Sequence, residues 1–473
     1  MARPTYQQLR EENRQLRQEN RQLRRRCEQL EQRVADLEAQ VLKLTQLLER
    51  AQRRGKRQAA PFSKGPPKSD PKPPGRKAGR AYGRQAHRPS PPPDQIDEVY
   101  EACLPSCCPD CGQSIKPTRV DQQYQVDLPR RPLYRQFNVH IGRCLGCGER
   151  VQGRHERQTS DALGAARSQL GPEAQAAVVY LNKVPGLSHG KVTHLFKTLF
   201  GIDLSPGGSV RIMLRVAQRL EPTYQAIVKA MPHQPWTAAD ETGWRIGGLP
   251  AWLHAFVTES MTCYRIARSR GFEIAQRLLG WDYAGVLIHD GWASYDRFWR
   301  AMHQTCLAHL LRRCGELLTT ARRGAVRFPR QVKALLQDSL NLRDRYEAGE
   351  LTDHGLAVAR GRLQSRLDQL LKWTRINRDN ERFAAHLAKH RHQIFTFLQH
   401  VGIDATNWRA EQAIRPAVVN RKVWGGNRTE VGGHAQEVHM TVLRTCSQQA
   451  VDSLDFIRRL LLGHHPRLAL PPP

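Results

Sequence analysis

The sequence predicts a multidomain chain of mixed α+β and α/β type, and three observations carry that prediction. Hydrophobic periodicity switches from helical to strand-like near residue 235 and returns to helical beyond 300. Two Cys-x-x-Cys pairs, Cys108/Cys111 and Cys144/Cys147, are separated by 32 residues. Near the N-terminus a leucine recurs at every seventh position. At about 100–200 residues per domain, the 473 residues correspond to roughly two to four domains.

Composition narrows the function classes. The chain carries 74 Lys+Arg against 44 Asp+Glu, a net charge of +30 and a pI near 10.3. No apolar run approaches the ~18 residues of a membrane helix, and the first twenty residues lack the apolar stretch of a secretory signal. With no basic amphipathic helix and no lipidation motif, the surplus charge points to nucleic acid rather than to a membrane. Cysteine pairs in a reduced cytosol read as zinc ligands before disulfides.

The first module is a coiled coil over residues 5–50. Leu9, Leu16, Leu23, Leu30, Leu37 and Leu44 take the d positions, and Asn13, Asn20, Cys27, Val34 and Val41 take the a positions. Leu at d with Val at a favours a parallel homodimer, and buried Asn sets its register. Residues 51–95 form a disordered linker. Twelve Lys/Arg face a single acid between 51 and 90, and ten prolines lie between 61 and 93, so too little apolar surface exists to fold.

A zinc-ribbon module follows at 100–155. Each Cys-x-x-Cys places two thiolates on a tight turn, and Cys108, Cys111, Cys144 and Cys147 complete a closed tetrahedral site. Strands are expected between the pairs, at 123–128 and 134–140. Cys103, Cys107 and His140 are alternative ligands. The module either touches DNA or is only stapled by its zinc.

Residues 165–230 read as three helices. Pro172 opens the first, Ser188 caps the second, Gly201 stops it, and Ser205-Pro206 open the third. With Arg211 and Arg215 on one face of the last helix, the segment resembles a helix-turn-helix that meets DNA.

From 233 to 425 lies the core. A strand from Trp236 is expected to end on Asp240, and the apolar strand Gly285–His289 to end on Asp290. Further strands lie at 251–258 and 262–267, and a helix at 272–279. Glu411 sits on a late helix whose apolar side is Ala410, Ala413 and Ile414. Three acids on separate elements offer the hard oxygen ligands of Mg²⁺, two of which can clamp an in-line phosphoryl displacement. His303, Cys306 and His309 stand at helical spacing, where one helix offers at most two good metal ligands. A helix-rich insertion spans 316–400, and 426–473 form a closing helix with a disordered Pro tail.

Four segments together resemble the transposases of insertion-sequence family 66. They are Ala239-Asp240-Glu241-Thr242-Gly243, His289-Asp290-Gly291-Trp292 with Tyr295, Cys306-x-x-His309 with Arg312, and Ala410-Glu411 followed by Ile414-Arg415-Pro416 and Arg421-Lys422. Trp408 and Gln412 replace the Asn and Arg usual in the family. The resemblance implies a ribonuclease-H-like core with an acidic triad of Asp240, Asp290 and Glu411 holding two Mg²⁺, for which Mn²⁺ can substitute. It assigns Cys306 and His309 to structural support of the core. It implies strand cleavage and strand transfer at the inverted repeats of an element and at target DNA, with Arg415, Arg421 and Lys422 on phosphates. A homodimer or higher oligomer, small accessory proteins of the same element and a bacterial, nucleoid-associated cytoplasmic location go with it. The runner-up reading is a non-catalytic DNA-binding regulator or architectural protein with a nuclease-like core.

Overall fold

The computed structural model describes residues 132–163 and 169–471 apart from 374 and 401. It also describes 90–99 and scattered positions at 19–44 and 103–124. Every described position between 19 and 44 is helical, and Leu30, Val34, Leu37, Val41 and Leu44 of the heptad seam are exposed. Leu9, Leu16, Leu23, the linker over 51–89, and Cys108 and Cys111 lie outside the described residues.

Residues 128–473 form one compact unit. It begins with a small antiparallel hairpin, β1 (Ile141–Arg143) and β2 (Arg150–Gln152), in register Gly142↔Val151. The two strands flank the second Cys-x-x-Cys, so that only β1 lies between the pairs, and 134–140 is not a strand. A tight turn explains the difference. The Gly148 N–H donates to Cys144 O at 2.9 Å with Gly148 at φ +75°, which closes the turn and aligns its flanks.

Three helices follow: α1 (Pro172–Lys183), α2 (His189–Phe200) and α3 (Pro206–Ala230). Their ends follow local chemistry. The Ser188 hydroxyl accepts from Lys191 N–H, Gly201 adopts φ +67° at the end of α2, and the Ser205 hydroxyl accepts from Gly208 N–H.

The central sheet holds β3 (Trp236–Ile246), β4 (Leu249–Val257), β5 (Thr262–Ala267), β6 (Val286–His289) and β7 (Met302–Thr305), in the order β5-β4-β3-β6-β7. The first three are antiparallel, whereas β6 runs parallel to β3 and β7 parallel to β6. Helix α4 (Phe272–Leu279) makes the crossover. Strand β3 does not end on Asp240 but continues to Ile246. The cause is a hairpin through Gly247-Gly248, both at positive φ, which gives the six extra residues β4 as a partner.

Alternation along the strands sends successive residues to opposite faces. Ala238, Leu253, Ala255 and Ile288 share one apolar cluster with α5 (Leu307–Thr320), α6 (Arg327–Glu347), α7 (Asp353–Leu371), α8 (Arg378–Lys389) and α9 (Trp408–Trp424). Ala239, Phe256, Cys263 and Leu287 face the other cluster, with α1–α4, α10 (Glu430–Gln448) and α11 (Ser453–Leu461). The insertion is therefore one wall of the core, through Leu335, Leu336, Leu363 and Leu367. The described tail is tied down and not disordered: Leu468 is buried, and Ala469 exchanges two hydrogen bonds with Gln449. Among the described residues no helix is long and apolar enough to cross a membrane.

Candidate active site

Register brings the two aspartates together. In the parallel pair β3/β6, Ala238 lies opposite Ile288, and both belong to the apolar cluster that α9 shares. Two residues further along β3 is Asp240, which alternation returns to that same face, and Asp290 follows directly on the end of β6. Glu411 approaches from the first turn of α9, which packs on β3 and β4.

Helix α9 is anchored beside Asp240. Its N-cap Asn407 is fully buried and donates its amide to Ala239 O at 2.8 Å, while its backbone N–H donates to Cys306 Sγ at 3.1 Å. Leu307 N–H donates to Ala405 O at 3.0 Å. These bonds link β3, the start of α5 and the start of α9. Cys306 thus supports the core at a helix N-cap, while His303 lies on β7. The three positions 303, 306 and 309 do not share one helix, because β7 ends at Thr305 and α5 begins at Leu307.

Crowding shows in the electrostatics. Burial pushes the Asp240 carboxyl up to about 7, and repulsion from Glu241, Asp290 and Glu411 adds to that, against one hydrogen bond from Glu241 N–H at 2.9 Å. Asp290 and Glu411 thus lie near enough to act on Asp240 by their charge, although the three carboxylates do not gather within 4.8 Å of one another as Cys306, His309 and Glu411 do. Carboxylate oxygens have the chemistry to bind a hard divalent cation.

Asp290 is set by its own loop. Its Oδ1 accepts from Trp292 N–H at 2.8 Å, and Gly291 turns at φ +92°. A Cβ on Gly291 would stand 3.3 Å from His386 Cε1, so α8 of the insertion reaches the acids. Behind them His289 Nε2 pairs with His303 Nδ1 at 3.0 Å; burial holds both imidazoles below their ordinary range.

The sequence reading missed part of this site. Glu241 points to the opposite face from Asp240, with its side chain only 2% exposed. It receives Arg270 through Nε at 2.7 Å and Nη2 at 2.6 Å, and the Tyr295 hydroxyl at 3.0 Å. Burial pushes this carboxyl up while Arg270 pulls it down. The Arg270 guanidinium lies over Trp292 at 3.9 Å and over Trp252 at 4.8 Å, stacking both rings. The doubled acid Asp240-Glu241 was the available signal; a lone arginine 29 residues away was none.

The basic residues rim the molecule. Arg211 and Arg215 are exposed on α3, and Arg415 and Lys422 on α9; Arg421 is half-buried and donates to Thr242 Oγ1 at 3.4 Å. Cys144 and Cys147 sit on the exposed hairpin turn, where N–H groups of Cys147 and Gly146 lower the Cys144 thiol.

Fold and site together define an α/β protein whose mixed sheet carries a carboxylate centre on a strongly basic chain. The family described as "Transposase IS66 family" matches residues 167–435, more than half of the chain, and the chain belongs to that family. It is also 26% identical over 235 residues to an uncharacterized protein, y4qI, of Sinorhizobium fredii. That match covers 45% of this chain and 43% of the relative's length.

Proposed function

We propose that the protein is a DNA transposase that cleaves and joins phosphodiester bonds at the ends of an insertion sequence. The observation that carries this is that the charges of Asp290 and Glu411 act on Asp240, whose carboxyl burial pushes up to about 7, in a chain of this family. The strand order β5-β4-β3-β6-β7, three antiparallel strands then two parallel, supports a ribonuclease-H-like core.

Asp240, Asp290 and Glu411 are the residues to hold Mg²⁺ or Mn²⁺. When bound, a metal pair supplies activation of the attacking oxygen and charge neutralisation at the leaving one. The chain's own part is orientation. Asn407 fixes the start of α9 beside β3, Gly291 and Trp292 aim Asp290, and Asp240 gives up its proton on loading. Arg415, Arg421 and Lys422 then lie on the helix that carries Glu411, where phosphates along the bound strand would meet them. Arg211 and Arg215 on α3 are the candidates for reading the element's ends. Cys144 and Cys147, with Cys108 and Cys111, fit a structural Zn²⁺, because the backbone donors around Cys144 already favour thiolate. The leucine seam fits a homodimer, and we place the protein on the nucleoid in the bacterial cytoplasm, working with any accessory proteins of its element.

The test is cleavage and joining of DNA bearing the element's own ends in Mg²⁺. Asp240→Asn, Asp290→Asn and Glu411→Gln should each lower cleavage by about a thousandfold or more and leave end binding in a gel shift within about twofold. Normal cleavage by Asp290→Asn would refute the assignment.

A further inference from the structure

A second donor set lies against the first. Cys306 caps α5, His309 follows one turn on, and Glu411 reaches across from α9. The Cys306 Sγ, a His309 ring nitrogen and a Glu411 carboxylate oxygen all lie within 4.8 Å of one another. His309 Nδ1 stands 3.8 Å from Glu411 Oε1, too far for a hydrogen bond. That nitrogen is itself buried and has no hydrogen-bond partner, an arrangement that normally costs about 1–3 kcal/mol. Cys306 is fully buried, and its sulfur accepts from Asn407 N–H at 3.1 Å; burial pushes this thiol up, against that hydrogen bond.

The chemistry of these donors differs from that of the aspartates. Thiolate, imidazole and carboxylate suit zinc or cobalt, whereas Mg²⁺ avoids sulfur. With metal–ligand bonds of roughly 2.0–2.3 Å, ligand atoms in a tetrahedral site stand about 3.3–3.8 Å apart. His309 and Glu411 are already near that spacing at 3.8 Å, and the sulfur, within 4.8 Å of both, needs a shift of at most about 1 Å relative to them. Glu411 is partly exposed and free to make it.

We propose that Cys306, His309 and Glu411 form a site for a thiophilic divalent cation of the zinc or cobalt class. Three protein ligands leave the fourth position open to solvent. An ion there holds Glu411 toward α5 and away from Asp240 and Asp290. Occupancy therefore opposes Mg²⁺ loading, a consequence that rests on the triad reading, although the site itself does not.

Cobalt titration of the metal-stripped full chain tests this, through its thiolate charge-transfer band and the stoichiometry read by a chromophoric chelator. Cys144→Ser run in parallel identifies the signal of the hairpin cysteines. Cys306→Ser and His309→Gln should each lose one cobalt equivalent or weaken it by at least about tenfold. Glu411→Gln should weaken the same equivalent, and Asp240→Asn should keep it. Unchanged stoichiometry and spectrum in both Cys306→Ser and His309→Gln overturn the proposal. Should Cys306→Ser fail to fold by circular dichroism, His309→Gln at its partly exposed position decides. Because Asp240→Asn tests cleavage without touching this site, failure of the triad and failure of the cobalt site give different results.

Discussion

Asp240→Asn should stabilise the metal-free protein, and more so as pH rises. The carboxyl moves from 3.8 to about 7 on folding. At about 1.36 kcal/mol per unit this corresponds to roughly 4 kcal/mol. Residual solvent access reduces the expected gain to about 2–4 kcal/mol. The folded value lies above the unfolded one, so this group's stabilising contribution is whole below about pH 4 and is lost as pH climbs through 7. At pH 8 the wild type holds a charge it does not tolerate, and the asparagine variant holds none. A unit of about 340 residues unfolds with an entropy near 0.7 kcal/mol/K, so Tm should rise by about 3–6 °C at pH 8 and by less than half that at pH 5. Thermal melts in chelator at both pH values measure it. Added Mg²⁺ should raise the Tm of the wild type at pH 8 and leave that of the variant almost unmoved. The reasoning fails if the variant is less stable than wild type at pH 8, or if the difference is the same at pH 5.

Arg270→Gln strands the buried Glu241 carboxylate and should cost about 2–4 kcal/mol in urea unfolding, with Glu241→Gln added in the same chain recovering more than half. Gly291→Ala puts a methyl group 3.3 Å from the His386 ring at φ +92°, for a loss of about 1–3 kcal/mol by the same assay. Mg²⁺-induced stabilisation should fall with it. Burial lowers Lys183 to about 7, against 10.5 for a free lysine, so its penalty is full below pH 7 and fades as pH rises toward 10.5. Lys183→Met should accordingly raise stability by about 2 kcal/mol at pH 6 and by little at pH 10, the lost bond to Gln436 being set against the gain.

Much of the architecture was legible one element at a time. The strand Thr262–Ala267 and the helix Phe272–Leu279 have the boundaries that periodicity and flanking glycines give. The caps at Ser188 and Ser205 also read directly, since a cap is a bond between near neighbours. The end of β3 did not, because the Gly247-Gly248 signal for a hairpin passed unread. The strands around Cys144 were misplaced because alternation alone does not supply a pairing partner.

By itself the sequence determined the charge, the heptad, the order of helical and strand segments, and the acids worth watching. These are properties of composition and of neighbours along the chain. Only the tertiary structure decided which acids act on one another. Asp290 acts on Asp240 because β6, which ends just before it, runs parallel beside β3, and Glu411 acts on it from α9, which Asn407 ties to Ala239. The same decision put Glu241 on the far face with Arg270, and brought His386 from the insertion against Gly291. Such contacts span 29 to 171 residues, and no local pattern encodes them; they exist because burying two opposite faces of one sheet admits one packing.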